Sequence, residues 1–182
     1  MVALWIVLAI VVLLALALIV MYNGLVRRRN RVQEALSDID VQLKRRYELV
    51  PNLVETVKGY ASHERELFEK VTAERAGLVT GSAADKVNAS NQLTETLKSL
   101  FAVAENYPDL KANQNFLALQ AELTDTQDKI MAAQRFYNAN VRDYNIATQV
   151  FPTNLIARPL GFEPFEFIEA GGAEAQPVQV KF

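Results

Sequence analysis

The chain has 182 residues, 19 basic and 21 acidic side chains, a net charge of −2 and no cysteine. Disulfides, thiolate nucleophiles and zinc–thiolate sites are therefore excluded, and the near-neutral balance argues against a nucleic-acid binder, which shows a basic face or a high isoelectric point. Few Gly and Pro among many Ala, Leu, Val, Gln and Glu favour helices.

The first element is apolar. From Val2 to Met21 there is no charge, and Arg27, Arg28, Arg29 and Arg31 follow closely. About 20 residues at roughly 1.5 Å rise each make about 30 Å, the thickness of a bilayer's hydrocarbon core. Trp5 and Tyr22 lie at its two ends, where aromatic rings favour the interface. A signal peptide would need a basic n-region, a shorter apolar stretch and an Ala-x-Ala site, and none is present. Residues 1–22 are thus expected to be an uncleaved, single-pass transmembrane anchor in contact with the lipid bilayer. The four arginines place the N-terminus outside and the remainder in the cytoplasm, by the preference of cationic flanks for that side. They can also meet lipid phosphates.

Residues 23–149 read as one helical bundle. Val32, Leu36, Ile39, Leu43 and Leu49/Val50 recur at three- and four-residue spacing, with Gly24 too weak a breaker to part this segment from the anchor. Pro51 predicts a turn or sharp kink, because it lacks a backbone donor and restricts Val50. A second helix to about Leu78 follows, with Val54, Val57, Tyr60/Ala61, Leu67/Phe68 and Val71 inward. Residues 79–84 predict a flexible connection, and a third helix spans about 85–106 with Val87, Leu93, Leu97, Leu100/Phe101 and Ala104 inward. Tyr107-Pro108-Asp109 ends it and opens the fourth, whose Phe116, Leu119, Leu123, Thr126, Ile130, Ala133, Tyr137, Asn140 and Tyr144 form the seam of a coiled-coil-like helix. The expected fold is all-α: an N-terminal transmembrane helix continuing into an antiparallel four-helix bundle, with an irregular C-terminal strap.

The tail, residues 150–182, carries Pro152, Pro159, Gly161 and Pro164 among apolar residues such as Phe151, Phe162, Phe165 and Phe167. It reads as a strap packed along the bundle, or as a patch for a partner or another subunit. From Gly171 its small, polar composition predicts mobility.

No catalytic, cofactor-binding or metal-ligating set emerges. His63 is the single histidine, and it has no second His four residues on. Carboxylates such as Asp38/Asp40 and Glu64/Glu66 stand two apart, where helical side chains do not face each other. No glycine-rich phosphate loop occurs. Asp40, Asn138, Asn140 and Arg142 adjoin apolar seams and read as a structural polar network.

Two blocks carry a resemblance. Residues 37–46, Ser-Asp-Ile-Asp-Val-Gln-Leu-Lys-Arg-Arg, run on through Leu49-Val50-Pro51-Asn52-Leu53-Val54 to Ala61. Arg135-Phe136-Tyr137-Asn138, Val141-Arg142-Asp143-Tyr144-Asn145 and Phe151-Pro152-Thr153-Asn154-Leu155-Ile156-Ala157 form the second. Both resemble motifs of the LemA family, with Leu36 where many relatives carry tryptophan. The resemblance implies a single-pass bacterial membrane protein with a helical bundle and a short outer N-terminus. It supplies no activity, cofactor or catalytic residue.

The reading that follows is a non-enzymatic protein of the bacterial inner (cell) membrane that forms homo-oligomers and acts as a scaffold for other membrane or envelope proteins. A monomeric adaptor in envelope signalling or stress response is the alternative, and a hydrolase or metal enzyme the remote third. The expected membrane-interface residues are Trp5, Tyr22, Arg27, Arg28, Arg29 and Arg31. The expected contact surface is Asp38, Asp40, Gln42, Lys44, Arg45 and Arg46, together with Phe151, Phe162, Phe165 and Phe167.

Overall fold

The computed structural model describes residues 1–61 and 63–169, so the expected mobility of residues 171–182 lies outside the described residues. The described residues are all-α, without a strand. Helix α1 is Val2–Lys58, α2 Arg65–Ala76, α3 Ala83–Ala104, α4 Pro108–Lys111, α5 Gln114–Gln149 and α6 Asn154–Ala157, with a 3-10 turn at Gly77–Val79. The chain divides into two compact units, residues 1–35 with 136–167, and residues 36–135 with 168–182; α1 and α5 each contribute to both.

In the first unit, α1 begins with the apolar segment. It is long and apolar enough to cross a membrane, and none of its most apolar window is covered by the rest of the chain. Gly24 does not interrupt it, as its weak breaking power predicted. Beyond it Leu25 and Val32 are buried, as are Tyr137, Val141 and Tyr144 on α5. The tail forms a strap here: Tyr144 meets Phe165 edge-on at 5.1 Å, and the Tyr137 hydroxyl donates to the Glu166 carbonyl at 3.0 Å.

In the second unit, segments of α1 and α5 join α2 and α3 around one core. Ile39, Leu43, Val50, Leu53 and Val57 of α1, Phe68 and Val71 of α2, Val87, Leu93, Leu97 and Leu100 of α3, and Phe116, Leu123 and Ile130 of α5 are buried. The three- and four-residue spacings located these stripes. Ser82 starts α3 with a capping box: Asp85 N–H donates to Ser82 Oγ, and the Ser82 N–H donates to the Asp85 carboxylate. Gly81, at φ +87°, makes the preceding turn in a backbone conformation that side-chain-bearing residues rarely adopt. Instead of opening the last long helix directly, Pro108 begins the one-turn α4, and Asn113 Oδ1 then accepts from the N–H groups of Asn115 and Phe116 to start α5.

One expectation fails. The helix does not turn or break at Pro51; α1 runs through it to Lys58, and the break falls between Gly59 and Glu64. Proline at 51 cannot donate to the carbonyl of Tyr47. That carbonyl instead accepts from Arg75 Nε on α2 at 2.8 Å, and the Arg75 guanidinium lies over the Tyr47 ring at 3.6 Å. A tertiary bond replaces the missing helical one.

Candidate functional site

Three regions hold the residues singled out from the sequence. The first is the end of the apolar segment. Trp5 is exposed on the bare helix, and Tyr22 packs edge-on against Phe162 at 5.7 Å. Side chains on a helix lean toward its N-terminus. Accordingly Arg27 Nε donates to the Asn23 carbonyl at 3.2 Å and Arg28 Nη1 to that of Gly24 at 3.3 Å, folding both cations back toward Tyr22. Arg27, Arg28 and Arg31 share one helical face and, with Asn140, Asp143 and Ile146 of α5, line a concavity of about 490 Å³. None of the three forms an ion pair among the described residues. Arg29 points elsewhere and lies near Tyr144, whose hydroxyl pKa is raised chiefly by burial, with Arg29 opposing that rise.

The second region is the charged stretch of α1. Asp38 and Lys44 are exposed, Gln42 is half-buried, Asp40 accepts from Lys86 Nζ at 2.8 Å and Arg45 Nη2 donates to Glu122 at 2.7 Å. Both pairs are substantially exposed, so each contributes about 1 kcal/mol or less. Arg46 departs from the expected face: only 2% of it is exposed. Its Nη1 donates to Ser90 Oγ at 2.6 Å, to the Ser90 carbonyl at 3.0 Å and to Gln127 Oε1, and its Nη2 to Thr94 Oγ1 at 2.9 Å. Burial pushes the guanidinium down to about 10, still a cation at neutral pH. Among the described residues it has no carboxylate partner. The reason is register: Arg46 follows Ile39 and Leu43 and precedes Val50 and Leu53 at alternating four- and three-residue steps, so it belongs to the apolar stripe. Ser90, Thr94 and Gln127 were not foreseen, although Ser90 falls between Val87 and Leu93 on the inward stripe of α3. Together the four residues form a polar layer through the second unit's core.

The third region is the tail. Phe162 is buried and Phe165 half-buried, whereas Phe151 and Phe167 are exposed. Asn145 holds the strap: its Nδ2 donates to the Phe165 carbonyl at 2.9 Å and its Oδ1 accepts the Phe165 N–H at 3.0 Å. One amide side chain thereby satisfies both backbone groups of an irregular residue. Tyr137, bonded to the Glu166 carbonyl, has its pKa raised, first by burial and then by the Glu166 charge. Asn140 Nδ2 caps back onto the Phe136 carbonyl at 2.8 Å.

His63 is exposed in the α1–α2 turn. Among the described residues no three His, Cys, Asp or Glu side chains converge as a metal ion would require. A shallow concavity of about 630 Å³ on α2 is lined by Lys58, Arg65, Phe68, Glu69 and Thr72, with Lys58 Nζ 5.7 Å from the Phe68 ring centre.

Residues 35–182 match the model of the LemA family. The chain is 29% identical over 154 residues to the protein LemA of Metamycoplasma hominis, covering 84% of this chain and 70% of that one. It is 24% identical to the magnetosome protein MamQ of Magnetospirillum gryphiswaldense and 25% identical to MamQ 2 of Paramagnetospirillum magneticum, each over 88% of this chain and 69% of the relative. None of these names denotes a catalyst.

Proposed function

The chain belongs to the LemA family, and from that premise we propose that this membrane-associated helical protein is a non-enzymatic scaffold, assembling with its own copies and organising other membrane or envelope proteins. The observation that carries the reading is the bare apolar segment of α1, which continues without a break into the helix that supplies the bundle core. Anchoring confines every copy to one plane, which raises effective concentration so that weak lateral contacts suffice.

The exposed face of α1 suits such contacts. Asp38 and Lys44 carry opposite charges on either side of Val41, which is 58% exposed. A patch with both signs and an apolar centre can meet the same patch on another copy across a two-fold axis. The anchor lacks a small-xxx-small pattern, which favours assembly through the soluble helices over close pairing within the bilayer. Relatives named for the magnetosome are consistent with service to a larger structure. The arginine cluster after the apolar segment supports an N-terminus outside the inner (cell) membrane and a cytoplasmic bundle.

The test is the mass of the full-length protein extracted gently from native membranes. A uniform assembly of this chain is expected. A monomer free of other proteins overturns the scaffold reading, and a monomer bound to one specific protein replaces it with an adaptor.

A further inference from the structure

We propose that the Val150–Gly161 segment is a second membrane attachment, a loop whose apolar outer face enters the interfacial layer of the bilayer that α1 crosses.

The segment contains the one-turn α6 and turns its apolar residues in two directions. Ala157 and Phe162 are buried, and the Phe162 N–H closes onto the Ala157 carbonyl at 2.9 Å. Phe151, Leu155 and Leu160 face outward, exposed by 78%, 65% and 52%. From Val150 to Phe162 the sole charge is Arg158, and the first acidic residue is Glu163. Outward aromatic and aliphatic residues with a single cation and no anion are the composition of an interfacial membrane segment.

Position selects the bilayer over a protein partner. Phe162 lies edge-on to Tyr22 at 5.7 Å, and Tyr22 directly follows the apolar run that ends at Met21. The loop is thus attached to α1 at the level where the hydrocarbon core ends. The headgroup layer extends about 5–8 Å beyond the core on each side. Asn23 and Gly24 lie roughly 3–4.5 Å past Met21 at helical rise, within that layer. Arg27 and Arg28 fold their guanidinium groups back to exactly those two carbonyls, at phosphate depth. Cations at phosphate depth and apolar side chains beside them form a continuous surface for an anionic leaflet.

The absence of native cysteine makes the test direct. Spin labels are placed singly on the full-length protein through Phe151→Cys or Leu155→Cys, and the protein is reconstituted into vesicles of phosphatidylethanolamine and phosphatidylglycerol. Val12→Cys, inside the apolar segment, and Glu34→Cys, exposed well beyond Tyr22, are the references. Collision rates with oxygen, which concentrates in lipid, and with a water-soluble nickel chelate report depth. Labels at 151 and 155 are expected to favour oxygen, as at 12, while 34 favours nickel. Nickel accessibility at 151 and 155 equal to that at 34 overturns the proposal. So does shielding from both reagents, which would mean that protein covers the loop. Nickel access at 12 would overturn the anchor itself, a failure distinct from that of the loop alone.

Discussion

Pro51 and Arg75 provide the sharpest test of how this fold is held. Replacing Arg75 by Met removes a charged donor from the Tyr47 carbonyl and a guanidinium from its ring. A hydrogen bond from a charged group contributes about 1.5–3 kcal/mol and a partly exposed cation–ring contact about 0.5–1 kcal/mol. Because Arg75 and Tyr47 are half-buried, the low end applies, and Arg75→Met should cost about 2 kcal/mol. Pro51→Ala restores an N–H that can donate to the same carbonyl. In that background Arg75→Met should cost only about 1 kcal/mol, mostly the ring contact. The coupling between the two sites is therefore about 1 kcal/mol, readable by urea unfolding of the four proteins followed by circular dichroism. Amide exchange over residues 48–58 should accelerate in Arg75→Met and recover in the double variant. An equal cost of Arg75→Met in both backgrounds would refute the substitution of one bond for the other.

Arg46→Met should destabilise the protein by about 2–3 kcal/mol in the same unfolding assay, because Gln127 and Ser90 lose a charged donor inside the core. Arg46→Lys should recover little of this, since an ammonium cannot reproduce the planar fork that reaches two helices. Asn145→Ala removes two bonds to Phe165 and should cost about 2 kcal/mol, seen most directly as faster exchange of the Phe165 amide. The Asp85 carboxyl is held below its ordinary pKa, first by the Ser82 hydroxyl and then by the Ser82 N–H. A depressed folded pKa stabilises above the unfolded carboxylate value, and that stabilisation is lost as pH falls through the folded one. Ser82→Ala should move Asp85 back up toward its usual value, measured by NMR titration, and flatten the acid limb of stability.

The elements that repeat were legible because periodicity reports a local fact. Each helix must turn one stripe inward, so Val32, Ile39, Leu43, Leu93, Leu97, Leu123 and Ile130 could be placed from spacing alone. The apolar run from Val2 needed only length and charge. What stayed hidden depends on partners remote in sequence. Pro51 reads as a breaker until Arg75 supplies the bond it lacks. Arg45 and Arg46 are adjacent and chemically identical, yet one pairs at the surface with Glu122 and the other is buried. The heptad register contained the signal for Arg46, and its charge masked it. Asn145 stands in a recognisable motif, but its clamp acts on a strap with no periodicity to reveal it.

The central claim is lateral assembly of anchored copies, and energy transfer between singly labelled molecules in vesicles measures it most directly. Donor and acceptor dyes on Glu95→Cys, an exposed position on α3, are followed as lipid is added to dilute the protein in the membrane plane. The account predicts transfer that falls to a plateau above that of chance encounters. A fall to the value of randomly scattered monomers would contradict it.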